Sequence, residues 1–187
     1  MNKVRLVYCG ISEVVGGKGM AVVQLADAGK HRALSVVCDG MMKYQIGLRQ
    51  ALPGVSERLL PEVLVSMLRD NVGMGKFEIC VYNLAYGEYK TVVQDTETLQ
   101  EYPIRISDAI LLSLVGDIPM MMEESLFIVQ SMPYAGHADR LAIPINTLDT
   151  KKLAIELQKA ISEEDHRLAS QIQDELNRRK ETGIDVE

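Results

Sequence analysis

The sequence predicts an α+β protein: a mixed, largely antiparallel sheet flanked by helices, with an α-helical hairpin appended at the C-terminus. Three observations predict it. Apolar alternation bounded by turn residues recurs at the N-terminus and again around residues 76–95. Apolar residues at helical spacing fill the stretches after these strands. Beyond residue 150 two further helical stripes follow one another with only a short break.

Residues 3–11 and 21–25 read as strands, with SEVVGGKGM as the turn between them. The GGKG within it lacks the G-x-x-x-x-G-K-[ST] spacing and opens no helix, so it reads as a hairpin loop rather than a phosphate loop. A third strand, residues 32–38, follows DAGK. Met41, Tyr44, Leu48 and Leu52 then form a helical stripe despite Gly47. Leu60, Val63, Leu64, Met67 and Leu68 form a second, with Pro61 in the first turn, where a missing N–H is tolerated.

Residues 76–83 and 88–95 read as a hairpin: Phe77, Ile79 and Val81 alternate on one face and Gly87 lies in the turn. Tyr82, Tyr86 and Tyr89 around it suit cross-strand aromatic pairing, or a platform for stacked bases. Asp95, Glu97 and Glu101 give an acidic connection. Ile110, Leu111, Leu114 and Val115 then define a short buried helix ending at Gly116, and residues 118–122 read as an apolar strand. After Ser131 the pattern loosens into an irregular connection. Leu153, Leu157, Ala160 and Ile161 make one stripe of the terminal hairpin, and Leu168, Ala169, Ile172 and Leu176 the other, with Ser162 and Asp165 as a cap between them. The domains expected are residues 1–131, a connection 132–149 and the hairpin 150–181.

Composition narrows the chemistry. No run approaches the roughly 18 apolar residues that span a bilayer, and the N-terminal apolar run is too interrupted for a signal peptide, which predicts a cytoplasmic protein. Cys9, Cys38 and Cys80 lie in apolar segments and never form C-x-x-C, as expected of free thiols in a reducing compartment and not of a zinc site. His31, His137 and His166 are scattered without H-x-x-x-H spacing. No G-x-S-x-G marks a nucleophile, although a triad assembled in space stays open. The formal net charge is −6. Phosphate-backbone binding is largely electrostatic, so such a chain would handle nucleic acid only through locally concentrated cations or a bridging metal.

Arg105, Ser107 and Asp108 stand directly before the most apolar helix, in R-I-S-D-A-I. Ser107 is placed as an N-cap, Asp108 complements the positive end of the helix dipole, and Arg105 pairs with a nearby carboxylate. The same trio could equally form a site, with Arg105 gripping phosphate oxygens through its planar fork.

The order of strands, helices and hairpin, then R-x-S-D-A-I leading to Gly116, Ile118 and Pro119, resembles the bifunctional nuclease domain, a family of bacteria and plants with DNase and RNase activity. The similarity runs over residues 4–129. Met42 stands where relatives carry a glutamate, Leu60, Pro61 and Glu62 where they often show T-H-D, and Ile106 where they have a proline. The resemblance implies metal-assisted hydrolysis of DNA or RNA, with Arg105 binding substrate, Ser107 positioning it, Asp108 catalytic, and Asp108, Asp39 and Glu62 as ligands of Mg2+ or Mn2+. The tail, with Leu153, Glu156, Leu157, Ala160, Asp165, Ala169, Ile172, Asp174, Glu175 and Leu176, resembles the UVR motif, the helical hairpin of the UvrB and UvrC repair proteins and of some protease adaptors. That resemblance implies a protein partner, or self-association, through the hairpin. The rival expectation is a non-catalytic protein that recruits a partner in stress response or DNA repair. Strand edges and an apolar hairpin seam in need of cover predict a homodimer, and the trio R-x-S-D is expected to line a concave pocket.

Overall fold

The computed structural model describes residues 2–13, 20–51, 54–85, 87–134, 150–162 and 166–182. The α+β expectation is met: an eight-stranded, mostly antiparallel sheet carries the fold together with six α-helices among the described residues. The chain divides into two compact units, one holding the sheet and the other the C-terminal helices.

In the sheet unit, β1 (Lys3–Glu13), β2 (Met20–Asp27) and β3 (Arg32–Asp39) form an antiparallel meander. The GGKG turn lies outside the described residues. Next come α1 (Gly40–Ala51), a single 3-10 turn at Ser56–Arg58 and α2 (Leu60–Asn71). The second meander is β4 (Phe77–Ala85), β5 (Glu88–Asp95) and β6 (Glu101–Arg105). Gly87, with φ +74°, supplies the left-handed backbone the β4–β5 turn needs. Finally α3 (Ile106–Gly116), β7 (Met120–Glu123), α4 (Glu124–Gln130) and β8 (Met132–Pro133) complete the unit. The strand order is β6-β5-β4-β7-β1-β2-β3-β8. Only β7 joins the two meanders, antiparallel to β1 and parallel to β4.

Three elements depart from the sequence reading. The acidic connection after Asp95 contains β6, an edge strand that tolerates Pro103 because it has a free side. The stretch after Ser131 begins with β8, which pairs Met132 and Pro133 with Ala33 and Arg32; the rest of the expected connection, from residue 135, lies outside the described residues. The seven-residue helix α4 is the third, and it buries Phe127.

One core cluster gathers Leu6, Val23, Leu25, Leu34 and Val36 of the first meander with Ile79 and Val81 of the second, Met42 and Ile46 of α1, and Ala109, Ile110 and Leu111 of α3. Helix α2 forms as expected, but of its stripe only Leu68 packs against the core. Leu60, Val63, Leu64 and Met67 are 79%, 41%, 43% and 60% exposed, whereas Val65, off that stripe, is 2% exposed and enters the core. Gly116 at the end of α3 is closely packed: a Cβ there would meet Met74 Cε at 3.0 Å and Val65 Cγ2 at 3.2 Å, so these side chains would have to shift. Asp117 then takes the left-handed conformation that ends the helix.

In the second unit, α5 (Thr150–Ser162) and α6 (His166–Thr182) bury Leu153, Ala160, Ile172 and Leu176 in a cluster with Leu157 and Ala169 packed on it. The seam that the sequence leaves open is therefore filled within the hairpin itself. Ile161 stays 61% exposed, as does Ile155 at 67%. The Ser162 hydroxyl donates to Lys159 O at 2.7 Å at the end of α5. Asp165 lies outside the described residues, as do Leu52 and Tyr86. Among the described residues no helix is long and apolar enough to cross a membrane.

Candidate functional site

Strand β6 passes into α3 without a loop, so the position preceding the helix is Arg105, with extended backbone and no side-chain cap. Ser107 is thus not the N-cap. It is the second helical residue, half-buried, and the N–H groups of this first turn receive no bond from it. Asp108, in the same turn, keeps its expected place at the positive end of the helix. Arg105 closes over it in a two-pronged contact, Nε to Oδ2 at 2.8 Å and Nη2 to Oδ1 at 3.2 Å. Both side chains are open to water, 75% and 47% exposed.

Asp39 ends β3 and begins α1. Its Oδ1 accepts the Met42 N–H at 3.0 Å, the capping bond that the sequence assigns to Ser107 on the other helix. Asp39 is exposed. The electrostatics bring it into the trio's neighbourhood. Asp108, by hydrogen bond and charge, and then Asp39, by charge, hold the Arg105 guanidinium above its ordinary value. The Cys38 thiol is pushed up to about 11 by burial first and by the charges of Asp39 and Asp108 second. It therefore stays protonated at neutral pH. All three cysteines are free thiols.

Glu62 does not join this group. Its Oε2 takes Arg49 Nη2 at 2.7 Å, in a pair only 13% and 15% exposed, and Arg49 Nη1 also bonds Gln45 O at 2.7 Å. The reason is topological: Asp39 caps the start of α1, whereas Arg49 lies nearly three turns along it, about 15 Å at 1.5 Å per residue. The structure thus keeps Arg105, Ser107 and Asp108 together with Asp39 within electrostatic range of the arginine, and pairs Glu62 with Arg49 toward the other end of α1.

Among the described residues no group of three or more His, Cys, Asp or Glu is disposed to hold a metal. Two carboxylates remain at this place, Asp39 and Asp108, offering oxygen only. That donor set suits a hard cation such as Mg2+ or Mn2+, which is commonly held by one or two carboxylates together with substrate phosphates and water. None of the trio lines the described cavities of about 320, 330 and 370 Å3 on this unit, and Arg105 is exposed while Ser107 and Asp108 are half-buried.

The cavity of about 370 Å3 was not foreseen from the sequence. It opens between the later turns of α1 and α3, the 3-10 turn and β1, with Tyr8, Arg49, Gln50, Ser56 and Glu62 as its polar lining. These residues come from four elements and share no spacing, so no local pattern marks them. No protein-family model matches this chain, and no curated protein matches it either.

Proposed function

We propose that the protein is a nuclease that hydrolyses DNA or RNA phosphodiester bonds with the help of Mg2+ or Mn2+. The observation that carries this reading is the exposed Arg105–Asp108 fork with Asp39 beside it, at the shared starting end of two helices. Arg105 exchanges the Asp108 carboxylate for two phosphate oxygens, a geometry its planar fork matches. The unbonded N–H groups of the first turn of α3 receive an anionic oxygen at the positive end of the dipole. Ser107 donates its hydroxyl to the same phosphate. Asp108, freed from Arg105, and Asp39 would hold the cation, which would supply an activated water and neutralise charge on the phosphate. The cation also offsets the formal charge of −6 that otherwise repels a polyanion.

Purified full-length protein incubated with single-stranded RNA and with linear DNA, in Mg2+, Mn2+ or chelator, tests this. Degradation should require the metal and vanish in Asp108→Ala while the circular dichroism spectrum is retained. Degradation that survives the substitution sinks the assignment.

The apolar side chains left outside the hairpin, Ile155 and Ile161, favour a second role as a contact for a protein partner, in a stress-response or DNA-repair setting if the UVR resemblance carries that far. A non-catalytic recruiter is the form this takes if no degradation occurs. A partner captured by the full chain and lost on removal of the residues after Asp149 identifies it. Self-association has separate support in the outward stripe of α2, where Leu60, Val63, Leu64 and Met67 stand exposed on one helix. A homodimer through that face covers it.

A further inference from the structure

We infer that the cavity lined by Tyr8, Gln50, Ser56 and the Arg49–Glu62 pair is a nucleobase-binding site, which captures one base of a single strand whose phosphate lies at Arg105 and Asp108. The inference rests on the nuclease reading for its strand and deepens it by naming what is held, and where.

The lining argues for a neutral, planar ligand. Arg49 and Glu62 cancel each other at 2.7 Å, so the cavity offers no net charge to a free phosphate or carboxylate. It offers edges instead. Arg49 Nε is buried without a hydrogen-bond partner, a donor whose isolation is costly until something accepts from it. The Gln50 amide and Ser56 hydroxyl donate and accept, and Glu62 accepts. Burial raises the Tyr8 phenol above its ordinary value, although its bond with Gln50 opposes this, so it remains a donor at neutral pH. The remaining walls, Ile46, Leu114 and Val115, are apolar. A base combines two apolar faces with a rim of donors and acceptors, and the volume of about 370 Å3 falls in the lower part of the range for small-ligand pockets, roughly 300–1,000 Å3.

Position supplies the link to the strand. Helices α1 and α3 pack against each other and both reach the cavity, α1 with Ile46 and Gln50 and α3 with Leu114 and Val115. Six or seven residues of α3 separate Asp108 from Leu114 and Val115, about 10 Å at 1.5 Å per residue. That is up to about three stacked nucleotides at 3.4 Å each, and fewer in an extended strand. An acidic chain gains little from phosphate attraction, so holding a base is a way to retain a strand that its charge disfavours.

The test is binding of fluorescein-labelled single-stranded DNA and RNA decamers to the full-length protein in chelator, where no cleavage occurs. Gln50→Ala, at an exposed helical position, and Ser56→Ala should each weaken binding about tenfold, the loss of one polar contact, and Leu114→Trp, which fills the cavity, should abolish it. 2-Aminopurine placed at successive positions should change its emission at one of them only. Equal binding by wild type and folded Gln50→Ala and Ser56→Ala, or no binding of any strand by wild type, overturns the inference. Binding that these variants weaken, without metal-dependent cleavage, removes the nuclease reading and leaves the base site. Cleavage with a KM unmoved by them does the reverse.

Discussion

Arg105 lies across Asp108 with both donors of one guanidinium edge engaged, and three-quarters of the arginine side chain still faces water. A pair so open contributes little to stability, because water and salt replace it readily. Arg105→Ala and Asp108→Ala should therefore leave the thermal midpoint where it is, while metal-dependent degradation of RNA or DNA is lost in both. A drop in the midpoint of either variant would show that the pair is there to hold α3.

The Arg49–Glu62 pair should behave oppositely. Its groups are largely withdrawn from water, and removing one leaves a charge without compensation. Glu62→Leu alone should lower the free energy of unfolding by about 3 kcal/mol, the low end for a buried pair. Arg49→Met together with Glu62→Leu should recover most of it. Urea titrations of wild type and the two variants decide the matter, and equal losses in the single and double variants would contradict it.

On α2, neighbouring positions should answer in opposite ways. Val65→Ala removes two buried methyl groups and leaves a void, a loss of about 2–3 kcal/mol, whereas Leu64→Ala on the exposed stripe should change stability little. The paired Leu64→Lys and Met67→Lys should preserve the fold and convert any dimer to monomer in sedimentation velocity. A dimer that persists in that variant excludes this face.

Asp95 gives the protein an acid limit. Lys76 Nζ at 2.8 Å, and then the N–H groups of Thr98 and Glu97 on Oδ1, hold its carboxyl down at about 2. A depressed folded-state value means that the unfolded chain takes up the proton first. The stabilisation is complete above the unfolded value of roughly 4 and declines as pH falls through about 2. Asp95→Asn should thus be less stable than wild type at neutral pH, with the gap closing between pH 4 and 2 in denaturation curves. A gap independent of pH would assign the loss to packing.

The strands of the first meander and the β4–β5 hairpin were readable because runs of apolar residues are bounded by turn signals, although β2 and β3 are buried on both faces and so show no one buried side. Helix α2 was readable only as a helix. Its stripe of Leu60, Val63, Leu64 and Met67 satisfies the helical period whether it meets a core or solvent, and a single buried Val65 on the far side leaves no periodic trace. Strand β6 was hidden by Pro103 and by a mostly exposed surface, and β8 by having two residues. At the site, Arg105 and Asp108 could be named because they are adjacent in sequence. Asp39 reaches them only through the meeting of two helix starts, and Glu62 was misassigned because nothing local says that α2 begins at the far end of α1.

The short strand β7 has a bearing on how the molecule is made. The first meander and the second can each zip from neighbouring segments as soon as they exist, but Met120–Glu123 must slot between Lys3–Leu6 and Ile79–Val81, so the chain has to wait for it. Until those four residues arrive, two open strand margins stand unprotected, each a template for the wrong neighbour. Synthesis interrupted before Met120 leaves a pair of half-sheets inclined to aggregate, and the last keystone of the sheet decides whether the rest was worth assembling.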